Sequence, residues 1–263
     1  MPLVTLTTDF GTADGYVGAM KGVILRLAPG TRIVDITHDV PPQDVQAGAY
    51  ILFQAAREFP PGTIHVAVVD PGVGGKRREV IVDDGKFRWV GPDNGLFSLS
   101  CPNVRSGFQI AAPTFRAPVV APTFHGRDIF APAAARLAAG AFPSEAGPRV
   151  LLEGSLGGRP LLMSHGGRQI TGHVVHVDRF GNLITNIPAD SLPRQATVRI
   201  GTAEIPVISL MFAAVPKGQL VAYIGSSDTL EIAVRDDSAA TVFSLGRGEA
   251  VVVTGRSDPP DGL

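Results

Sequence analysis

An aspartate and two arginines bracket a glycine-rich loop in the first third of the chain. Asp70 follows residues 63–69, an apolar segment with the composition of a buried strand. The loop after it contains three glycines and leads to Arg77 and Arg78. A carboxylate beside a guanidinium stays ionised and is held in a fixed geometry. The loop is therefore a candidate for acid–base or electrostatic chemistry, although an aspartate that only caps its own turn would give the same pattern.

Two further predicted strands in the amino-terminal half also end in polar residues. Residues 3–8 lead to Asp9, and residues 32–37 lead to His38 and Asp39. In a parallel sheet the carboxyl ends of the strands meet at one edge, and ligands bind there. The sequence therefore predicts a shared polar edge on a parallel sheet.

Helical spacing of apolar residues separates these strands. Residues 16–27 and 45–56 both follow a helical period, and Asp44 is placed to cap the second helix. A third helix is predicted from about residue 129 to 139, with Pro132 in its first turn. The alternation of strands and helices predicts an α/β fold.

The carboxyl-terminal part of the chain has a different pattern. Between Gly154 and Gly167 the sequence is rich in Gly, Pro and Ser, and short β-like segments separated by turns follow. We predict two domains: residues 1–160 form a sheet flanked by helices, and residues 168–258 form a smaller all-β, barrel-like domain.

Composition excludes several classes of protein. The net charge of −1 argues against a nucleic-acid-binding protein and provides no basic patch for a membrane surface. Cys101 is the only cysteine, so no intrachain disulfide can form. The first residues lack the pattern of a signal peptide, and no apolar run approaches the ~18 residues needed to span a bilayer. We expect a soluble, cytoplasmic protein.

Five segments occur in an order and spacing that resemble one family. They are residues 7–11 (TTDFG), 70–74 (DPGVG), 91–95 (GPDNG), 125–128 (HGRD) and 180–186 (FGNLITN). On these motifs the chain resembles the S-adenosyl-L-methionine (SAM) hydroxide adenosyltransferase family, which is related to fluorinating and chlorinating enzymes. The resemblance covers essentially the whole chain. It implies hydrolysis of SAM to adenosine and L-methionine, by attack of water or hydroxide at C5′ of the ribose.

The resemblance also implies an assembly and a set of site residues. It implies a homotrimer with sites between subunits, and it requires neither a metal nor a cofactor, because SAM is the substrate. The catalytic Asp–Arg–His triad of the family matches Asp70, Arg77 and His125. The position that binds the ribose matches Asp9, and the position that binds the adenine edge matches Asn182. The positions that hold the methionine group match Asp14, Asp178 and Ser226. The resemblance thereby implies catalytic and ribose contacts in the first domain and adenine and methionine contacts in the second.

Two details qualify the match. Halogenating relatives carry a tyrosine at the position of Asp70 and an extra loop in the amino-terminal domain, so Asp70 favours water over halide as the nucleophile. Gly225 and Asp228 stand where the family pattern has Asn and Gly.

The chemistry fits these residue types. A sulfonium leaves as a neutral thioether, so only the water needs activation. Asp70 and His125 are both able to accept its proton, and the sequence leaves open which one does. Arg77 stays cationic, so it orients the water or keeps Asp70 ionised.

Two other functions remain possible from the residues alone. A non-catalytic module that binds SAM or adenosine would use the same pocket, but it would not require the Asp–Arg–His set. A metal-dependent phosphoesterase would need oxygen and imidazole ligands. Its candidate ligands are Asp9, Asp35, His38, Asp70, Asp93, Asn94 and His125.

Overall fold

Two β-sheets organise the chain into a mixed α/β fold in the computed structural model. The structure describes residues 1–154, 156, 161–164 and 168–255. The chain divides into two units, Met1–Gly157 and Gly158–Leu263. The predicted boundary segment between Gly154 and Gly167 lies largely outside the described residues, as do residues 256–258.

The described residues of unit 1 form seven strands and three α-helices. The strands are β1 (Leu3–Thr8), β2 (Arg32–Thr37), β3 (Ile64–Val68), β4 (Glu79–Asp83), β5 (Arg88–Pro92), β6 (Ser106–Gln109) and β7 (Arg149–Leu151). The helices are α1 (Tyr16–Leu27), α2 (Val45–Ala56) and α3 (Ala131–Ala138).

The strand order in this sheet is β2-β1-β3-β5-β4-β6-β7. The first four strands are parallel, and β4, β6 and β7 continue the sheet in antiparallel pairing. Thr8 at the end of β1 pairs with Val68 at the end of β3. Asp9 and Asp70 therefore follow neighbouring parallel strands at the same edge, which confirms the predicted polar edge.

Apolar residues cover both faces of the parallel strands. Val66 and Val68 belong to one buried cluster, together with residues of α1 and α3. Ala67 and Val69 belong to a second cluster, together with residues of α2. Successive strand residues point to opposite faces, so a strand buried on both sides is continuously apolar. Because β3 is packed on both faces, its end is held in place, and so is the position of Asp70 at the edge of the sheet.

The part of unit 2 that the structure describes forms nine strands and one short α-helix. The strands are β8 (Leu162–Ser164), β9 (Gln169–Val177), β10 (Leu183–Pro188), β11 (Ala196–Ile200), β12 (Ala203–Ile205), β13 (Ile208–Ser209), β14 (Leu220–Ile224), β15 (Thr229–Val234) and β16 (Ala250–Gly255), and the helix is α4 (Ala239–Val242). Their order is β12-β11-β16-β9-β10-β15-β14-β13, with β8 paired to β9. β11 also lies close to β13, so the sheet is nearly barrel-shaped. One apolar cluster fills its interior.

The structure differs from the sequence prediction at the shorter elements. The third helix is preceded by a π-helical turn, Gly126–Phe130, and α3 itself runs over Ala131–Ala138 with Pro132 in its first turn. Strands β6 and β7 were not predicted, because they have four and three residues and lack a clear alternation of apolar side chains. Within the described residues, no helix combines the length and apolar character required to cross a bilayer.

The first sheet contains a fully buried histidine, His65, whose pKa is lowered. It lies fully buried in β3, with Nδ1 2.7 Å from the Thr5 hydroxyl and its ring stacked on Trp89 at 4.7 Å. Burial lowers the pKa of His65 to about 4, and the negative charge of Asp84 only partly opposes this. The imidazole is therefore neutral in the folded protein at neutral pH, whereas an unfolded chain takes up a proton below pH 6.5.

We predict that His65 makes the protein acid-sensitive. The free energy of unfolding should fall as the pH is lowered from 6.5 towards 4, by about 3 kcal/mol from this residue, since only the unfolded state binds the proton. In His65→Gln, which cannot be protonated, the stability curve should be flatter over this range. Urea unfolding at a series of pH values measures the slope, and an equal slope in both proteins would contradict the prediction.

Candidate active site

A buried ion pair lies at the polar edge of the first sheet. Asp70 follows β3, and Arg77 precedes β4 across the glycine-rich loop. Arg77 Nε donates to both carboxylate oxygens of Asp70 at 3.0 Å, and Nη2 donates to Oδ2. The side chain of Asp70 is 4% exposed and that of Arg77 is 9% exposed. Multiple charge-assisted hydrogen bonds fix the orientation of both groups.

His125 completes the predicted set of three residues. Its Nδ1 lies 2.8 Å from Arg77 Nη2, and its side chain is buried. It stands directly before the π-helical turn that leads into α3. The structure therefore brings Asp70, Arg77 and His125 together, with the guanidinium between the carboxylate and the imidazole.

Glu79 is a fourth member that sequence analysis missed. Its Oε1 accepts a hydrogen bond from Arg77 Nη1 at 2.7 Å and lies 3.2 Å from His125 Nδ1. Its Oε2 lies 3.3 Å from Arg116 Nη2. The sequence does contain a signal, because residues two apart in an extended segment share a side, so Arg77 and Glu79 point the same way. We call Asp70, Arg77, Glu79 and His125 the Arg77 cluster.

The charges of the cluster set its protonation states. Burial alone would lower the pKa of Arg77, but the hydrogen bonds and the charges of Asp70 and Glu79 raise it overall. The pKa of His125 is lowered, first by burial and then by the positive charge of Arg77. Arg77 is therefore a permanent cation, and His125 favours the neutral form.

The glycine-rich loop has its composition because it passes close to the loop before His125. Gly74 has φ +74°, and a Cβ there would lie 2.5 Å from the carbonyl oxygen of Pro122. Only glycine satisfies both requirements. Asn94, from the second glycine-rich motif, donates to the carbonyl oxygen of Val69 at 2.9 Å. This contact holds the residue directly before Asp70.

The motif at residues 125–128 positions one imidazole. Asp128 accepts a hydrogen bond from the Ala121 backbone at 2.8 Å and pairs with Arg127. A Cβ on Gly126 would lie 3.1 Å from the Met20 sulfur, so the turn packs closely against α1. Of this motif, His125 alone contacts Arg77, while the other residues fix the backbone that carries it.

Arg78 points away from the cluster, as expected for an extended segment. Its Nη2 lies 3.0 Å from Asp93 Oδ2 and 3.2 Å from Glu153. Asp93 also accepts hydrogen bonds from the backbone of Glu153 and Gly154. Asp93 and Arg78 therefore join two loops, separately from the Arg77 cluster.

The other two predicted residues of unit 1 have simpler surroundings. Asp9 is half-buried, and its Oδ2 accepts a hydrogen bond from the backbone of Gln43 at 2.8 Å. Asp14 is exposed in the loop before α1. His38, which follows β2, is buried with Nδ1 2.9 Å from the Thr8 hydroxyl and Nε2 3.1 Å from Asp35.

Two of the three predicted binding residues of unit 2 lie together at the turn between β9 and β10. Asp178 accepts hydrogen bonds from the backbone of Phe180 and of Asn182, each at 2.9 Å. The side-chain amide of Asn182 donates to the other carboxylate oxygen at 2.9 Å. Ser226 lies in the turn between β14 and β15.

A cavity of about 560 Å³ opens beside this turn within unit 2. It is lined by Phe180, Asn182, Phe212, Tyr223, Asp236, Asp237 and Ser238. The Tyr223 hydroxyl donates a hydrogen bond to Glu231 Oε2 at 2.9 Å. Burial raises the pKa of Glu231, and the negative charge of Asp178 raises it further. Aromatic rings and a few amide and carboxylate groups suit a flat, polar ligand.

The two departures from the family motif, Gly225 and Asp228, lie in the turn between β14 and β15. A Cβ on Gly225 would lie 1.8 Å from Glu231 Oε1, so a larger residue requires Glu231 to move. Asp228 has φ +57°, a conformation that glycine adopts freely and Asp tolerates better than most residues. The backbone therefore keeps the form that glycine favours at position 228.

Among the described residues, no group of three or more His, Cys, Asp or Glu side chains is arranged to hold a metal ion. The candidate ligands of the phosphoesterase hypothesis are instead distributed over different contacts. Asp70 binds Arg77, Asp93 binds Arg78, and Asn94 binds the backbone of Val69.

The fold and the site together define a class: an enzyme with an α/β unit that carries a buried Asp–Arg–His cluster, followed by a β unit with a polar, aromatic cavity. Comparison with known proteins defines the family. The model of the SAM hydroxide adenosyltransferase N-terminal domain matches residues 4–147, and that of the C-terminal domain matches residues 172–252. The chain belongs to the SAM hydroxide adenosyltransferase family.

Individual relatives agree with this assignment. An (R)-S-adenosyl-L-methionine hydrolase of Thermus thermophilus is 42% identical, over 94% of this chain and 98% of the relative. One of Salinispora arenicola is 40% identical, over 96% and 98%. A fluorinase of Actinoplanes sp. is 28% identical, over 96% and 97%. The crystal structure of an uncharacterized conserved protein from Thermotoga maritima superposes with a TM-score of 0.87 at 34% identity, covering 95% of this chain and 99% of that one.

We predict that neighbouring arginines have separable roles. Arg77→Lys should lower turnover by roughly 100-fold or more, because an ammonium cannot contact Asp70, Glu79 and His125 as the planar guanidinium does. Arg78→Lys should keep near wild-type turnover but lose about 1–2 kcal/mol of stability through weaker contacts to Asp93. Steady-state kinetics and urea unfolding measure the two effects, and equal losses of turnover would contradict the separation.

Proposed function

We propose that the protein hydrolyses SAM to adenosine and L-methionine, with the Arg77 cluster preparing the water that attacks C5′ of the ribose. The protein is a SAM hydrolase by membership of its family. The observation that carries the catalytic assignment is the buried contact of Asp70 and His125 with the same guanidinium.

Hydrolysis requires little assistance at the leaving group. The oxygen of water forms a bond to C5′, the C5′–S bond breaks, and its electron pair stays on sulfur as the neutral thioether of methionine. The proton of the water passes to a base and then to solvent. The task of the enzyme is therefore to hold and deprotonate water in line with the C5′–S bond, which fixed hydrogen-bonding groups do without reorganisation.

The proposal divides substrate recognition between the two units. In unit 1, Asp9 binds the ribose hydroxyls, since a carboxylate accepts two hydrogen bonds from a diol. In unit 2, Asn182 binds the adenine edge, and its position on the wall of an aromatic-lined cavity supports this role. Asp178 and Ser226, together with Asp14 of unit 1, hold the amino-acid group of methionine.

Water, not halide, is the proposed nucleophile. Asp70 forms an ion pair with Arg77, so the site presents a carboxylate that repels a halide anion and accepts hydrogen bonds from water. No cofactor or metal takes part in the proposed reaction, because the sulfonium itself activates the carbon. A phosphoesterase is disfavoured because Asp70, Asp93 and Asn94 are engaged in separate contacts.

The assembly and its location complete the proposal. A homotrimer in the cytoplasm, with each site formed between subunits, agrees with the division of binding residues between two units.

In unit 1, helices flank the sheet on both faces, and the two separate apolar clusters support this arrangement.

The reaction is tested by following the oxygen of water. Purified protein is incubated with SAM in oxygen-18 water, without added metal, and the products are analysed by mass spectrometry. We expect adenosine and methionine, with one oxygen-18 atom in the 5′-hydroxyl of adenosine. Asp70→Asn is the matched control and should give little product. Label in a fragment of the methionine chain, or no adenosine, would place the attack elsewhere or refute the activity.

The trimer is tested by mixing inactive variants. Asp70→Asn alters a site residue of unit 1, and Asn182→Ala alters one of unit 2. If sites form between subunits, reassembled mixed trimers should regain part of the activity, because some interfaces combine two intact units. Mass spectrometry of the intact assembly verifies mixing, and proven mixed trimers without any recovery would place each site within one chain.

A further inference from the structure

We propose that Glu79 and Arg116 are positioning residues that act through His125, setting the pH at which its charge changes and the Arg77 cluster stops working. This inference rests on the proposed function for its kinetic consequence. The two residues lie outside the Asp–Arg–His set, and their charges have opposite effects on His125. Glu79 favours its protonated form, and Arg116 favours its neutral form.

The hydrogen bonds of Arg77 define the working form of His125. Arginine has only donors, so the contact of 2.8 Å between Nη2 and His125 Nδ1 requires Nδ1 to accept. The proton of the neutral ring is then on Nε2, and Nε2 makes no hydrogen bond with any described residue. Neutral His125 therefore presents an N–H donor away from Arg77.

Protonation of His125 would change this arrangement. An imidazolium carries a proton on Nδ1, and that proton would point at the N–H groups of Arg77. Glu79 Oε1 lies 3.2 Å from Nδ1, so it is the acceptor available to the new proton. His125 would exchange its contact with Arg77 for one with Glu79, and the geometry of the cluster would be lost.

Five charged groups face His125 from the elements around it. Asp70 follows β3, Arg77 precedes β4, and Glu79 is the first residue of β4. Arg116 lies in the segment before the π-helical turn, and Asp128 lies within that turn. Glu79 and Asp70 raise the pKa of His125, while burial, Arg77 and Arg116 lower it.

Arg116 opposes Glu79 directly. Its Nη2 lies 3.3 Å from Glu79 Oε2, and its side chain is 29% exposed, whereas that of Glu79 is 12% exposed. The guanidinium of Arg116 pairs with the same carboxylate that would stabilise a protonated His125. Removing Glu79 therefore favours neutral His125, and removing Arg116 favours the protonated form.

The test compares Glu79→Gln and Arg116→Gln in the full-length protein. The titration of the His125 Cε1 proton is followed by NMR without SAM, its signal being assigned by its absence in His125→Gln. We expect the midpoint to move to lower pH in Glu79→Gln and to higher pH in Arg116→Gln, each changing the protonated-to-neutral ratio at fixed pH by roughly three- to ten-fold. The acid limb of kcat/KM should move in the same directions.

Glu153→Gln is the matched control. Glu153 also pairs with an arginine, Arg78, at 3.2 Å, but it is exposed and does not touch His125. It should leave the midpoint unchanged, and a shift as large as that of Glu79→Gln would overturn the specific role of the pair. Shifts of the same sign in Glu79→Gln and Arg116→Gln, or no shift in either, would also overturn it.

Two outcomes separate this inference from the proposed function. If the wild-type protein forms no adenosine, the proposed function fails, while the NMR titration still reports on the pair. If the titration shifts but the acid limb does not follow, the link between the charge of His125 and catalysis is wrong. Should Glu79→Gln not fold, Arg116→Gln alone decides. The partly exposed side chain of Arg116 tolerates replacement, and an unchanged midpoint in this variant would refute the inference.

Discussion

One guanidinium holds the polar edge of unit 1 together. Arg77 donates hydrogen bonds to Asp70, Glu79 and His125, which come from three separate segments of the chain. All four side chains are largely buried. Breaking a buried ion pair by removing one partner costs about 3–5 kcal/mol, because the remaining charge is left without compensation. The loops around the cluster are therefore constrained to bring their polar groups to the one place where Arg77 can satisfy them.

This constraint also explains why the cluster suits its reaction. Two carboxylates and two arginines, counting Arg116, balance in charge around a neutral imidazole. Such a group is already oriented before a substrate arrives, so it does not reorganise as charge moves from water to the sulfonium. In the proposed mechanism, catalysis depends on the fixed positions of these buried groups, and the apolar strand that precedes Asp70 supplies the rigidity.

The sequence predicted the components of this site better than their connections. Strand ends, glycine loops and ordered motifs located Asp70, Arg77 and His125, because each leaves a local pattern. Glu79 leaves only its spacing of two residues from Arg77, and Arg116 leaves no pattern, because an acidic residue at the start of a strand and an arginine in a loop are ordinary. Their role depends on contacts across 46 residues, from Glu79 to His125, and across 37, from Glu79 to Arg116. Local spacing indicates that Glu79 and Arg77 share one side of the extended segment, but it does not show that His125 and Arg116 lie on that side as well.

Several motif residues fix the backbone and do not belong to the Arg77 cluster. Asn94 holds the carbonyl before Asp70, Asp128 holds the loop before His125, and Gly74 lets those two loops touch. A carboxylate in a matched motif is therefore no more than a candidate until its partners are known. Asp70 and Asp93 illustrate the difference: each pairs with an arginine, and the two arginines are adjacent in sequence, yet only Asp70 shares its arginine with an imidazole. The alternation of side chains along one extended segment thus separates the ion pair that we propose to be catalytic from a structural one.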